Sequence, residues 1–264
     1  MFEQWIKDKE THGQVTFSIE EVATGMDGKS AKQIRKALDR AVSRGRIVSV
    51  CRGFYVIIPV QYQLKRIVPP SYYIDEMMRY LKRAYYVCLL SAASMHGAGH
   101  QRAMQYQVMT VAPRLKASSK KSLIDWNYRT NIPGELLQTR NAEMGVVRYS
   151  CPELTAVDLV QYADHIGGYQ RAATVLAELI EEVDIAKIED VFPYTTTATI
   201  QRLGYLLEHV LEEKEKADAL YELLKNHYPK RHAYAMSTAH PASEESVPNR
   251  WYIYMNIDIE IDEI

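Results

Sequence analysis

Hydrophobic spacing over the first sixty residues switches between helical and strand-like periods. Phe2, Trp5 and Ile6 share one side of a short helix over 2–9, which Thr11-His12-Gly13-Gln14 breaks. Ile19-Glu20-Glu21-Val22-Ala23 reads as a helix start: Ser18 stands at the N-cap and Glu21, three residues on, completes a capping box. Thr24-Gly25-Met26-Asp27-Gly28 is a turn whose glycines accept unusual backbone angles. From Lys29-Ser30-Ala31 a longer helix runs to about Gly45, a residue suited to the position just past a helix end. The β-rich runs Ile47–Cys51 and Phe54–Ile58 flank Arg52-Gly53 and predict a hairpin, ended by Pro59. Val68-Pro69-Pro70 marks a domain boundary.

Helix, helix, turn, helix, hairpin is the order of a winged helix-turn-helix, here over residues 1–66. On a wheel of the third helix, Ala31, Ile34, Leu38, Ala41 and Val42 form the arc expected to be buried. Lys29, Lys32, Lys36, Arg40 and Ser43 lie opposite, with Gln33 beside them. Such a face can enter a major groove, with Lys and Arg on phosphates or guanine edges and Gln on adenine. Ser30 opens this helix, and Arg52 at the hairpin tip is where a wing would reach the neighbouring backbone or minor groove. The candidate DNA-binding set is therefore Lys29, Ser30, Lys32, Gln33, Lys36, Arg40 and Arg52. A solvated basic face is the plain alternative for any one lysine-rich helix; the matching helix order and basic hairpin tip favour DNA.

Residues 71–264 predict a larger mixed α/β domain, so the fold class is α+β. Tyr72–Ala84 and Tyr85–Met95 have helical spacing, although Tyr85-Tyr86-Val87-Cys88-Leu89-Leu90 could equally begin as a strand. Strands are expected over 107–112, 123–128 and 146–150, and helices from Pro152, over 171–180, 199–211 and 217–227. A polar loop over 229–248 precedes a closing strand over 250–256 and a tail carrying Asp258, Glu260, Asp262 and Glu263.

Charge sharpens this division. Residues 1–66 hold twelve Lys and Arg against seven Asp and Glu, a net of +5; the whole chain is −1, which leaves −6 for the remainder. An anionic partner is thus expected at the front alone. No apolar run approaches the roughly eighteen residues of a membrane span. The N-terminus lacks the build of a secretion signal. Cys51, Cys88 and Cys151 are scattered, without zinc or disulfide spacing, which points to a reducing cytoplasm.

Candidate chemistry in the second domain is thin. His96 and His100 stand four apart, a metal-ligand spacing, but Gly97 and Gly99 favour a helix end there and no third ligand is near. Asp125, Glu153 and Asp158 could suggest a magnesium nuclease, yet no acid precedes a lysine by two residues in a strand. Phosphate loop, dinucleotide fingerprint and serine elbow are all missing. Neither an enzyme nor a cofactor or metal is expected.

Five segments occur in an order that resembles a known family: Arg52-Gly53-Phe54-Tyr55 to Pro59; Tyr85-Tyr86 through Leu90-Ser91-Ala92-Ala93 to His96-Gly97; Pro152-Glu153-Leu154-Thr155-Ala156-Val157-Asp158-Leu159; Gln201-Arg202-Leu203-Gly204-Tyr205-Leu206-Leu207-Glu208; and Arg250-Trp251 to Asn256 with Glu260 and Asp262. Together they resemble the AbiEi family, antitoxins of type IV toxin–antitoxin systems in abortive phage infection. The resemblance implies that the winged domain represses its own operon at promoter inverted repeats. It also implies that the second domain opposes a nucleotidyltransferase-like toxin without a stable complex. Two competing readings are a ligand-responsive winged-helix regulator, with a pocket lined by some of the nineteen tyrosines, and a nuclease, whose carboxylate pattern is missing.

Overall fold

Two capping boxes set the helices of the N-terminal region. At the first, the Ser18 hydroxyl accepts the Glu21 N–H at 3.2 Å and the Glu21 carboxylate accepts the Ser18 N–H at 3.3 Å. At the second, Ser30 Oγ accepts the Gln33 N–H at 3.4 Å and Gln33 Oε1 accepts the Ser30 N–H at 2.9 Å. Helix α1 (Phe2–Thr11) precedes them; they open α2 (Ile19–Gly25) and α3 (Ala31–Ser43). Gly45, just past α3, has φ +69°, the left-handed conformation that ends a helix at low cost in glycine. In the computed structural model, residues 2–100, 103–111, 123–241 and 249–261 are described. Ala112, the loop residues 242–248 and the tail acids Asp262 and Glu263 lie outside them.

Strands β1 (Thr16–Ser18), β2 (Ile47–Cys51) and β3 (Phe54–Ile57) form a sheet in the order β1-β3-β2, antiparallel throughout. The hairpin is where the β-rich runs placed it. Strand β1 was not expected, because three residues are too few for a period of two to show. Ile34, Leu38 and Ala41 of α3 pack into a core with Phe2, Ile6, Phe17, Val22, Met26, Ile47 and Ile57. Phe17 stacks on Tyr55 at 5.5 Å and meets Trp5 edge-on at 5.1 Å. Two wheel assignments fail: Ala31 and Val42 are exposed, Val42 at 38%. The buried arc turns instead towards Ala37, which packs against the core.

Beyond the hairpin, α4 (Ile74–Tyr80) is shorter than its spacing suggested, because Lys82 turns to φ +53°. The ambiguous tyrosine segment resolves into strand β4 (Tyr85–Val87) followed by α5 (Leu89–Met95). With β5 (Tyr106–Val111), β6 (Ile124–Arg129), β7 (Leu137–Ala142) and β8 (Gly145–Ser150), β4 forms a sheet in the order β6-β5-β4-β8-β7. Strand β4 runs parallel to β8. Strand β7 was missed: Gln138 to Asn141 are all exposed, so no face is apolar and no alternation marks it.

By contacts the chain divides into two units: residues 1–86 with 108–132 and 139–148, and residues 87–107 with 133–138 and 149–264. The second is built round α6 (Pro152–Gln161), buried from Glu153 to Val160. Pro152 suits the first helical position, where an N–H would go unused. Helices α5, α8 (Tyr169–Leu179) and α9 (Thr197–Tyr205), with a 3₁₀ segment Ile185–Tyr194, pack on α6. A short α7 (Ala163–Ile166) joins α6 to α8. After α9 one π turn, Leu206–Val210, leads towards α10 (Lys214–His227). The expected closing strand shrinks to β10 (Ile253–Tyr254), parallel to β9 (Tyr234–Ala235). Tyr252 bends the chain with φ +57°, and Trp251 turns fully into the core.

Candidate nucleic-acid interface

Helix α3 is held by one face and offers the other to solvent. Lys29, Ser30, Lys32, Gln33, Lys36 and Arg40 are exposed on α3 and its approach, and Arg52 is exposed in the hairpin turn. The ion pairs of this region lie elsewhere: Lys9 with Glu21 at 2.5 Å, Arg46 with Glu10, and Arg44 with Glu3 at 4.0 Å. Among the described residues no ion pair holds Lys29, Lys32, Lys36, Arg40 or Arg52. The positive charge on this face is therefore uncompensated by contact. Ser30 and Gln33 are committed to each other in the cap, and Arg40 Nε donates to the Lys36 carbonyl at 3.1 Å. Arg35 and Asp39 are also exposed. Burial raises the Tyr55 phenol pKa, the charge of Asp39 raises it further and that of Arg35 opposes. Neither belongs to the candidate DNA-binding set, although the helical wheel puts both outside the buried arc.

The hairpin tip is braced. Gly53 has φ +80°, and a Cβ there would meet the Tyr80 hydroxyl at 2.6 Å. That hydroxyl donates to the Arg52 carbonyl at 3.4 Å, and the Phe54 and Tyr80 rings stack at 5.2 Å. Burial pushes the neighbouring Cys51 thiol up to about 11, which favours its protonated form.

A second constellation surrounds Trp251. Its indole Nε1 donates to Glu208 Oε2 at 2.5 Å, and Arg250 Nε donates to the same oxygen at 2.6 Å. Gln201 Nε2 donates to the Trp251 carbonyl at 2.5 Å and to the His232 carbonyl at 3.0 Å. A Cβ on Gly204 would lie 2.0 Å from a Trp251 ring carbon, so only glycine fits beneath the indole. Arg202 donates twice to the Ala235 carbonyl, at 2.8 and 3.1 Å. Burial would raise the Glu208 carboxyl, but its bonds from Arg250 and Trp251, with the charges of Arg250 and His209, hold it below the usual carboxylate value. Gln201 Oε1 stays buried without a hydrogen-bond partner; the other bonds fasten the C-terminal segment to α9 and the π turn.

The candidate metal ligands are dispersed. His96 Nε2 lies 2.8 Å from the Ser150 carbonyl, while His100 Nδ1 lies 3.0 Å from Glu178. Glu153 accepts the Asp184 N–H at 3.1 Å. No cluster of three His, Cys, Asp or Glu able to hold a metal occurs among the described residues. No described helix is long and apolar enough to cross a membrane.

Residues 85–209 match the family model of the AbiEi antitoxin C-terminal domain. Just under half of the chain is thus similar to an AbiEi antitoxin C-terminal domain. The crystal structure of RV2827C protein from Mycobacterium tuberculosis is similar, with a TM-score of 0.70 at 16% identity over 97% of this chain and 91% of that one. That likeness concerns the fold. No curated protein matches the sequence. Three segments of the resemblance, at Tyr85–Gly97, Pro152–Leu159 and Gln201–Glu208, fall inside the AbiEi match. Their side chains cap, pack or brace this part of the fold: His96 ties α5 to the end of β8, α6 is the central helix, and Gly204 with Glu208 seats Trp251. The match supports an antitoxin's role in a toxin–antitoxin pair.

Proposed function

We propose that residues 1–66 are a winged helix-turn-helix with α3 as recognition helix, that the chain represses its own operon at promoter inverted repeats, and that residues 71–264 form the antitoxin domain. The cognate toxin is nucleotidyltransferase-like and is opposed without a stable complex, in the cytoplasm and without catalysis by this chain. One observation carries the DNA reading: the cations of α3 stand exposed and, among the described residues, outside any ion pair, while nearby Lys9, Arg44 and Arg46 have acidic partners. The order α1-β1-α2-α3-β2-β3 with sheet order β1-β3-β2 supports it, because that topology presents one helix beside a hairpin. Phosphate contacts from Lys29, Lys32 and Arg52 would position the helix, and Lys36 with Arg40 would reach base edges.

Binding of the purified chain to its own upstream DNA and to unrelated duplex, across a salt series, tests this. A preference for the upstream DNA that survives moderate salt is expected. Lys36→Ala and Arg40→Ala should each weaken it by about 1–3 kcal/mol. Equal, weak binding to both fragments that disappears with salt would reduce α3 to a generic basic patch.

A further inference from the structure

The side-chain acceptors at the α3 cap are already engaged. Ser30 Oγ and Gln33 Oε1 serve the cap, and Ser43 Oγ, which donates to the Asp39 carbonyl at 2.9 Å, keeps only the lone pairs of a neutral hydroxyl. Lys32, Arg35, Lys36 and Arg40 can only donate. The Asp39 carboxylate is the one anionic acceptor on α3. It is exposed among these cations, and no ion pair holds it among the described residues. Arg35, one turn earlier, forms no ion pair with it among the described residues and does not neutralise it by contact.

A carboxylate on a helix that meets phosphates weakens binding by like-charge repulsion. It gains only where it faces base edges. In the major groove cytosine offers an amino donor, guanine offers two acceptors, thymine offers an acceptor and a methyl, and adenine sets an acceptor beside its amine. An acceptor-only group therefore favours cytosine and is repelled by guanine and thymine. We propose that Asp39 is a base-selecting residue of α3, accepting a hydrogen bond from a cytosine amino group at one position of the bound site. This rests on the DNA reading of α3 and adds to it a discriminating contact opposite in sign to those of the cations.

The test is selection by the full-length chain from a pool of duplex DNA with a randomised central window, compared for wild type, Asp39→Ala and Asp39→Asn. Wild type should require cytosine at one position. Asp39→Ala should lose that preference, with discrimination there falling about tenfold, while affinity for unselected duplex stays equal or rises. Asp39→Asn, nearly identical in shape, should move the preference towards adenine, whose edge pairs with an amide. An unchanged preference in both variants, or a uniform change across all sequences, would overturn the role of Asp39 alone. Failure of the wild-type chain to select any sequence would overturn the DNA reading, and this inference with it.

Discussion

Lys32, Lys36 and Arg40 stand on an exposed helix face with no carboxylate in ion-pair reach among the described residues, whereas Arg202 and Arg250 are closed off by carbonyls, carboxylates and rings. Arg250 bonds Glu208 and Asp218 and lies over Tyr221 and Trp251 at 5.0 and 5.3 Å. The residue types are alike and their surroundings are opposite. A cation whose hydrogen bonds and charge are met inside the fold contributes to holding that fold. A cation left facing water adds little to stability, and its effect is felt by whatever anion approaches. The two regions should therefore respond to substitution in separate measurements.

The largest effect is expected at Trp251. Trp251→Ala should cost about 3–5 kcal/mol in denaturant unfolding, because it empties a fully buried site. A cost near zero would mean that the C-terminal segment is not fastened as described. DNA binding by folded Trp251→Ala protein should persist, and its selective loss would break the separation of the two regions. Next comes Glu208→Gln, expected to cost about 2 kcal/mol at neutral pH by weakening charge-assisted bonds from Arg250 and Trp251. Since Glu208 is held below its unfolded value, its contribution is present above that value and is lost as the pH falls through the depressed one. Wild type should thus lose more stability on acidification than Glu208→Gln, and parallel urea titrations at neutral and acid pH would show it. The smallest effects belong to α3. Ser30→Ala should cost about 1 kcal/mol through its cap, and Lys36→Ala with Arg40→Ala should each stay within about 0.5 kcal/mol in unfolding. A marked loss of stability in the last two would make them structural residues and blur the contrast.

The N-terminal region was largely legible in the sequence because its signals are local. Ser18 with Glu21, Gly45 and the Arg52-Gly53 turn each act within a few residues. The Ser30–Gln33 box follows the same spacing with an amide in place of a carboxylate, and it went unread. Strand β7 lacks a hydrophobic period, and the 3₁₀ run through Pro193 repeats Ile185, Ile188 and Val191 every three residues, short of the α-helical period. The candidate DNA face was visible as a pattern, whereas its missing counter-charges could be seen only once Lys9, Arg44 and Arg46 had been placed with their partners. The Trp251 site was visible only as a resemblance. Gln201 and Trp251 are fifty residues apart, and nothing local announces that a glycine in one segment is the floor for an indole in the other.

The π turn at Leu206–Val210 makes chain length, more than residue identity, the quantity that must be kept there. Its defining bond, from the Leu211 N–H to the Leu206 carbonyl at 2.9 Å, closes round one residue more than an α-helical turn holds. Deleting Leu206 or Leu207 would let the backbone relax into ordinary helix, yet it would carry Glu208 round by about 100° and bring His209 to the indole in its stead. A gap of a single position in a related sequence would then signal a different seat for the tryptophan, even where every neighbouring letter agrees.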